Sequence, residues 1–88
     1  MENTKWQGTT INVGMTNKIV HHLYTTKEEA EQAFKPVSML KGNSEYWIVE
    51  LFNSFKKFYI VCPKDTFYIL RRSEFHINNE RFEVQRYK

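Results

Sequence analysis

Apolar and polar residues alternate along three short runs in the second half of the chain, which is the spacing that a β-strand requires. The runs cover residues 45–52 (EYWIVELF), 57–62 (KFYIVC) and 66–72 (TFYILRR). Each run is rich in aromatic and β-branched residues. The pattern therefore predicts three consecutive antiparallel strands joined by hairpins, with turns centred on Ser54-Phe55 and on Lys64-Asp65.

Two further segments have strand-like patterns, and one has a helical pattern. Strands are predicted at 9–15 and 18–24, with a turn at Thr16-Asn17, and a C-terminal hairpin at 74–87 turns at Asn78-Asn79.

A helix is predicted over residues 26–35 (TKEEAEQAFK), because Thr25 or Thr26 is followed three residues later by a glutamate, a capping box. Its apolar residues recur at helical spacing and form one face: Ala30, Ala33, Phe34 and Val37. Pro36 is expected to end this helix, and a loop is expected at 38–44.

The three central strands have two different faces in this register. Face A comprises Trp47, Val49, Leu51, Phe58, Ile60, Cys62, Phe67 and Ile69. The register pairs Leu51 with Phe58, Val49 with Ile60, Trp47 with Cys62, Cys62 with Phe67, Ile60 with Ile69, and Phe58 with Arg71. Because face A is almost wholly apolar, it is predicted to be the core and to receive the apolar side of the helix. The fold class is therefore α+β, a small antiparallel sheet of four to six strands, roughly ββαββββ, with one short helix on one face.

Face B is mixed in character and is the place where a function is expected. It comprises Tyr46, Ile48, Glu50, Phe52, Lys57, Tyr59, Val61, Tyr68, Leu70 and Arg72. This face is too apolar for a solvated sheet and too charged for a closed core. It is covered by residues 9–24 or by the C-terminal hairpin, or it meets a protein partner or a second copy of the chain, or it binds nucleic acid.

Composition limits the classes of protein that the chain can belong to. The 88 residues are 41% hydrophobic and 16% aromatic, with a formal net charge of +3. A single domain is expected at 9–88, with residues 1–8 loosely ordered. The charge permits an acidic partner without requiring one. The one cysteine and the absence of any long apolar run in the sequence favour a soluble cytoplasmic protein.

Candidate chemistry is sparse. Cys62 is predicted to be a core residue, although a dyad with His76 can be imagined. His21 and His22 are adjacent and would point to opposite faces of a strand, and no metal-binding or phosphate-binding motif occurs. We expect no enzyme activity, no metal and no cofactor.

The sequence therefore favours a non-enzymatic binding protein that acts through a protein–protein interface. Aromatic-rich chains of this length without motifs include small inhibitors, adaptors and regulators, among them phage and mobile-element proteins. The candidate partner-binding residues are the aromatic side chains Tyr46, Phe52, Tyr59 and Tyr68 and the basic cluster Lys56, Lys57, Arg71 and Arg72. Single-stranded nucleic acid is the alternative ligand of the same face, because open sheets bind it with aromatic and basic side chains.

Overall fold

The computed structural model describes residues 8–38 and 45–88. The elements are β1 (Thr9–Val13), β2 (Asn17–His21), α1 (Lys27–Ser38), β3 (Tyr46–Phe52), β4 (Lys57–Pro63), α2 (Lys64–Arg72), β5 (Phe75–Ile77) and β6 (Glu80–Arg86). The α+β class and the number of strands expected from the sequence are confirmed. The predicted loose order of residues 1–8 and the loop at 38–44 concern segments that lie, apart from Gly8 and Ser38, outside the described residues.

The strands form one curled antiparallel sheet in the order β2-β1-β5-β6-β3-β4. The predicted register of the first central hairpin is confirmed: Leu51 pairs with Phe58, Val49 with Ile60, and Trp47 with Cys62. The C-terminal hairpin also turns where expected, at Asn78 and Asn79, whose φ angles are 52° and 67°. Asparagine tolerates this left-handed conformation better than most residues, which suits a two-residue hairpin turn.

Residues 64–72 are helical, so the strand predicted at 66–72 and its hairpin turn at Lys64-Asp65 are wrong. The β-prone composition misled the prediction, because the same residues also satisfy helical spacing. Phe67 and Leu70, three positions apart, are buried, whereas Ile69, predicted to belong to the core of face A, is exposed.

The residues at the junction of β4 and α2 explain why β4 ends at Pro63. Pro63 ends β4, since it has no N–H to continue the ladder of hydrogen bonds. Asp65 lies in the first turn of the helix, and Arg71 and Arg72 lie in the last, where each charge opposes the helix dipole favourably. Local charge therefore supports a helix that the apolar pattern alone does not reveal.

The two helices lie on opposite sides of the β3–β4 hairpin. The larger core cluster lies on face A, inside the curl of the sheet, and α2 adds Phe67 and Leu70 to it. Helix α1 instead covers face B, where Ala30 packs with Ile48 and Tyr59. The prediction that α1 packs on face A is therefore wrong, because α2 and the curled sheet fill that side.

Helix α1 begins as expected but ends later than predicted. The Thr26 Oγ1 accepts a hydrogen bond of 3.2 Å from the Glu29 N–H, which is the N-cap contact that the sequence indicated. The helix continues through Pro36 to Ser38. Pro36 lacks the N–H that would donate to the Gln32 carbonyl, so the helix loses that one bond, but the backbone stays helical for two more residues.

One residue pair ties the segment after β2 to the edge strand β4. Tyr24 and Tyr59 exchange two backbone hydrogen bonds of 2.8 Å, an isolated antiparallel bridge. Continuing this register would place His22 opposite Val61 and Val20 opposite Pro63, but the described residues form no such bonds. A cleft of about 220 Å³, lined by these strands and by the end of α1, occupies this position instead.

Candidate functional site

The aromatic residues predicted to form one binding surface on face B do not lie together. Tyr59 is only 6% exposed beneath α1, and its ring contacts that of Tyr87 at 5.9 Å between centroids. Tyr46 and Phe52 are half-buried at the two ends of β3. Tyr68 lies on α2, on the other side of the sheet. Face B is therefore covered mainly by α1 rather than open to a partner.

The basic cluster is divided in the same way. Lys56 Nζ lies 3.2 Å from Glu80 Oε2, and Lys57 Nζ lies 3.0 Å from Glu50 Oε2. Arg71 and Arg72 are in the last turn of α2. The predicted pairing of Phe58 with Arg71, which would also set Lys57 opposite Arg72, does not occur because residues 64–72 form a helix and not a strand.

Glu50 is the buried carboxylate beneath α1. Burial by itself would raise the pKa of Glu50, but hydrogen bonds from Gln85 and Lys57 and the charge of Lys57 outweigh it, so the pKa is lowered. The Gln85 Nε2 donates to Glu50 Oε1 at 3.0 Å. The pKa of Lys57 is raised by its hydrogen bond to Glu50. Lys57 therefore serves the fold and is not an unoccupied cation.

A second aromatic and basic surface lies on α2. The exposed side of the helix presents Tyr68, 42% exposed, and Ile69, 38% exposed, followed by Arg72. Beside it, the Trp47 ring meets the Tyr68 ring edge-on at 5.9 Å between centroids. The Arg86 guanidinium lies over the Trp47 ring at 3.8 Å. We call these five residues the α2 surface.

Sequence reasoning missed three members of the α2 surface. The alternating pattern places Trp47 and Ile69 in the core of face A, and it assigns no role to Arg86. Arg86 follows Phe82 and Val84 in the alternation of β6, so a charged residue stands at an inward position of that strand. A charged residue at this position of the sequence indicates that face A is exposed to solvent at this end of the sheet.

The described residues offer no assembled catalytic or metal-binding group. Cys62 is buried, and burial raises the pKa of its thiol to about 12, which disfavours the reactive thiolate. His76 alternates with the buried Phe75 and Ile77 and so points to the opposite side of the sheet from Cys62. No group of three or more potential metal ligands occurs among the described residues.

A cleft lies beside Tyr24, between β2, β4 and the end of α1. Its volume of about 220 Å³ is below the roughly 300 Å³ at which small-molecule sites usually begin. The Nδ1 atom of His22, which lines it, is buried and has no hydrogen-bond partner among the described residues. Burial lowers the pKa of the neighbouring His21. The described residues that line the cleft include no carboxylate, cysteine or serine, and the His22 ring contacts the Tyr24 ring at 4.5 Å between centroids.

Comparisons with models of protein families, with curated proteins and with solved structures gave no match for this chain. Within the part of the chain that the structure describes, neither helix has the length and apolar character needed to cross a membrane.

Proposed function

We propose that this chain is a non-enzymatic binding protein that occupies a protein surface through its α2 surface, as a small inhibitor, adaptor or regulator does. The observation that carries the proposal is the contact of the half-buried Trp47 ring with Tyr68 and Arg86, beside the exposed Ile69 of α2. Tryptophan, tyrosine and arginine are the residues most enriched at the energetic centres of protein interfaces.

The α2 surface also has the rigidity that favours binding. Trp47 is held by Phe67, whose ring meets it edge-on at 5.3 Å between centroids, and by Arg86, which lies over one face of the indole ring. Side chains that are already ordered lose less entropy when a partner binds. The helix itself is anchored by Phe67 and Leu70 in the core, so its outward residues keep one arrangement.

A second copy of the chain and single-stranded nucleic acid are the other occupants to be tested. Stacking of bases requires aromatic faces that are open to solvent. Arg86 already covers one face of Trp47, and Phe67 and Tyr68 meet that ring edge-on, so Tyr68 offers the main exposed ring. This arrangement favours a protein partner over a nucleic acid.

The test is a double variant, Tyr68→Ala/Ile69→Ala, compared with Met15→Ala/Val20→Ala as a matched control. Met15 and Val20 are exposed apolar residues of the β1–β2 hairpin and do not belong to the α2 surface. Each protein is immobilised and exposed to lysate of the organism that encodes it, and retained proteins are identified by mass spectrometry. We expect a discrete partner to be retained by the wild type and the control and lost with the α2 variant, while thermal unfolding changes little.

Three outcomes would contradict the proposal. Retention that is unaffected by the α2 variant would place the interface elsewhere. Concentration-dependent self-association that only the α2 variant abolishes would assign the surface to a homodimer. Binding of fluorescent single-stranded oligonucleotides at low salt, weakened steeply by added salt, would assign it to nucleic acid.

A further inference from the structure

We infer that the α2 surface recognises an acidic segment of a partner protein, in which carboxylates flank an apolar side chain. The inference rests on the proposed function and adds the chemistry of the partner. It follows from the distribution of charge on this surface and from the order in which its residues lie.

Many of the carboxylates in the described residues are engaged in ion pairs that include neither Arg72 nor Arg86. Within residues 8–38 and 45–88, four ion pairs join lysines to glutamates: Lys56–Glu80, Lys57–Glu50, Lys64–Glu45 and Lys88–Glu31. A fifth, between Arg81 and Glu74, spans 3.6 Å. In contrast, Arg72 and Arg86 form no ion pair within the described part of the chain. Positive charge therefore stays uncompensated on the α2 surface.

The one acidic residue of α2 does not alter this conclusion. Asp65 lies in the first turn, and Arg72 lies in the last turn. Seven residues along a helix correspond to roughly 10 Å, which is too far for a direct ion pair. Asp65 interacts favourably with the helix dipole where it stands.

The contact with Trp47 orders the Arg86 side chain, and this order favours the binding of a carboxylate. The flat guanidinium lies over the indole ring at 3.8 Å, so the ring orders it. Its N–H donors point outward in the plane of the group, where they can bond a carboxylate through two parallel hydrogen bonds. A cation ordered in advance loses less entropy when it binds an anion.

The apolar part of the surface lies between the two arginines. Trp47 joins Arg86 to Tyr68, and Arg72 follows Tyr68 by four residues, about one helical turn or 6 Å along the axis. Ile69 lies beside them on the same exposed side of α2. A ligand that meets all these groups therefore carries an aliphatic or aromatic residue with acidic residues on both sides.

The test uses a random peptide display library selected against the full-length protein. We expect the enriched peptides to carry an apolar residue flanked by Asp or Glu. A synthetic peptide of the enriched sequence is then titrated by fluorescence anisotropy. Arg72→Glu and Arg86→Glu should each weaken its binding about tenfold or more, the loss expected for one charge-assisted hydrogen bond. Lys18→Glu, a reversal on the exposed strand β2, is the control and should change binding less than about twofold.

Two further measurements keep the test informative. If Arg86→Glu does not fold, Arg86→Gln removes the charge while keeping a side chain of similar length, and it should show the same loss. A peptide whose acidic residue is replaced by lysine should regain binding to the Arg72→Glu variant. Each variant is first checked for folding by circular dichroism and thermal unfolding.

The inference and the proposed function can fail separately. If peptides without acidic residues are enriched, or if the reversals act no more strongly than Lys18→Glu, the inference is wrong. The proposed function still stands in that case if Tyr68→Ala/Ile69→Ala abolishes capture of a partner. If an oligonucleotide competes the acidic peptide away and binds more tightly than it, the arginines serve phosphate groups and the inference is likewise overturned.

Discussion

Leu70 and Ile69 are adjacent residues with isomeric side chains in opposite environments, and this pair tests the helical assignment of α2. Leu70 is 1% exposed in the core on face A, whereas Ile69 is exposed. Strand alternation would reverse the two, placing Ile69 in the core and Leu70 on face B. Replacing each residue by alanine therefore distinguishes the helix from the strand.

The expected magnitudes follow from burial. Leu70→Ala removes buried carbon atoms and leaves a cavity, which costs about 2.7–5 kcal/mol in well-packed cores. For a domain of this size, a loss of about 3 kcal/mol lowers the melting temperature by roughly 12–24 °C. Ile69→Ala loses less contact and gains about 0.4 kcal/mol of helix propensity, so its net effect should stay within about 1 kcal/mol.

The assay is urea unfolding, followed by tryptophan fluorescence and by far-ultraviolet circular dichroism. Equal slopes of the free energy against urea would show that the variants differ in stability and not in the extent of unfolding. If Leu70→Ala does not fold, Leu70→Met keeps the volume and should cost less than about 1.5 kcal/mol. A larger loss for Ile69→Ala than for the Leu70 variants would refute the helical packing of α2.

Three other predictions concern Glu50, Cys62 and Asn79. Because the pKa of Glu50 is lowered on folding, the stability that its contacts provide should be present near neutral pH and lost as the pH falls through this lowered pKa. In Glu50→Gln, the urea midpoint of unfolding should fall less steeply as the pH is lowered than it does in the wild type. The same pH dependence in both proteins would contradict the ion-pair argument. Because burial raises the Cys62 pKa to about 12, the native thiol should react slowly with Ellman's reagent and rapidly in urea; rapid reaction of the folded protein would contradict burial. Asn79→Gly should be at least as stable as the wild type and Asn79→Val less stable, since φ is 67°; the reverse order in thermal unfolding would exclude this turn.

Features that depend on residues close in sequence were predictable. The β3–β4 register follows from two alternating runs joined by a short turn, and a slip by one residue would have moved every side chain to the other face. The cap at Thr26 and the turn at Asn78-Asn79 follow equally from local chemistry. These predictions agree with the structure because no distant contact competes with them.

The surface on α2 was not predictable in the same way. TFYILRR fits both a strand and a short helix, and distant packing decides between them: Phe67 and Leu70 enter a core built by all six strands. The contact between Trp47 and Arg86 joins β3 to the end of β6, which no local pattern shows. The packing of α1 on face B depends on the helical form of residues 64–72 as well. Because α2 fills face A, face B is the side of the sheet that α1 covers.

The bridge between Tyr24 and Tyr59 has a consequence for aggregation. β4 is an edge strand of apolar composition, and such edges pair readily with other chains. Along β4, residues whose backbone groups bond β3 alternate with residues whose backbone groups point away from the sheet. The outward-pointing residues are Lys57, Tyr59, Val61 and Pro63. Lys57 is charged, the backbone groups of Tyr59 are already bonded to Tyr24, and Pro63 has no N–H to donate. The bridge therefore completes the protection of this edge, and a chain in which it opens would expose a template for fibril-like pairing centred on Val61.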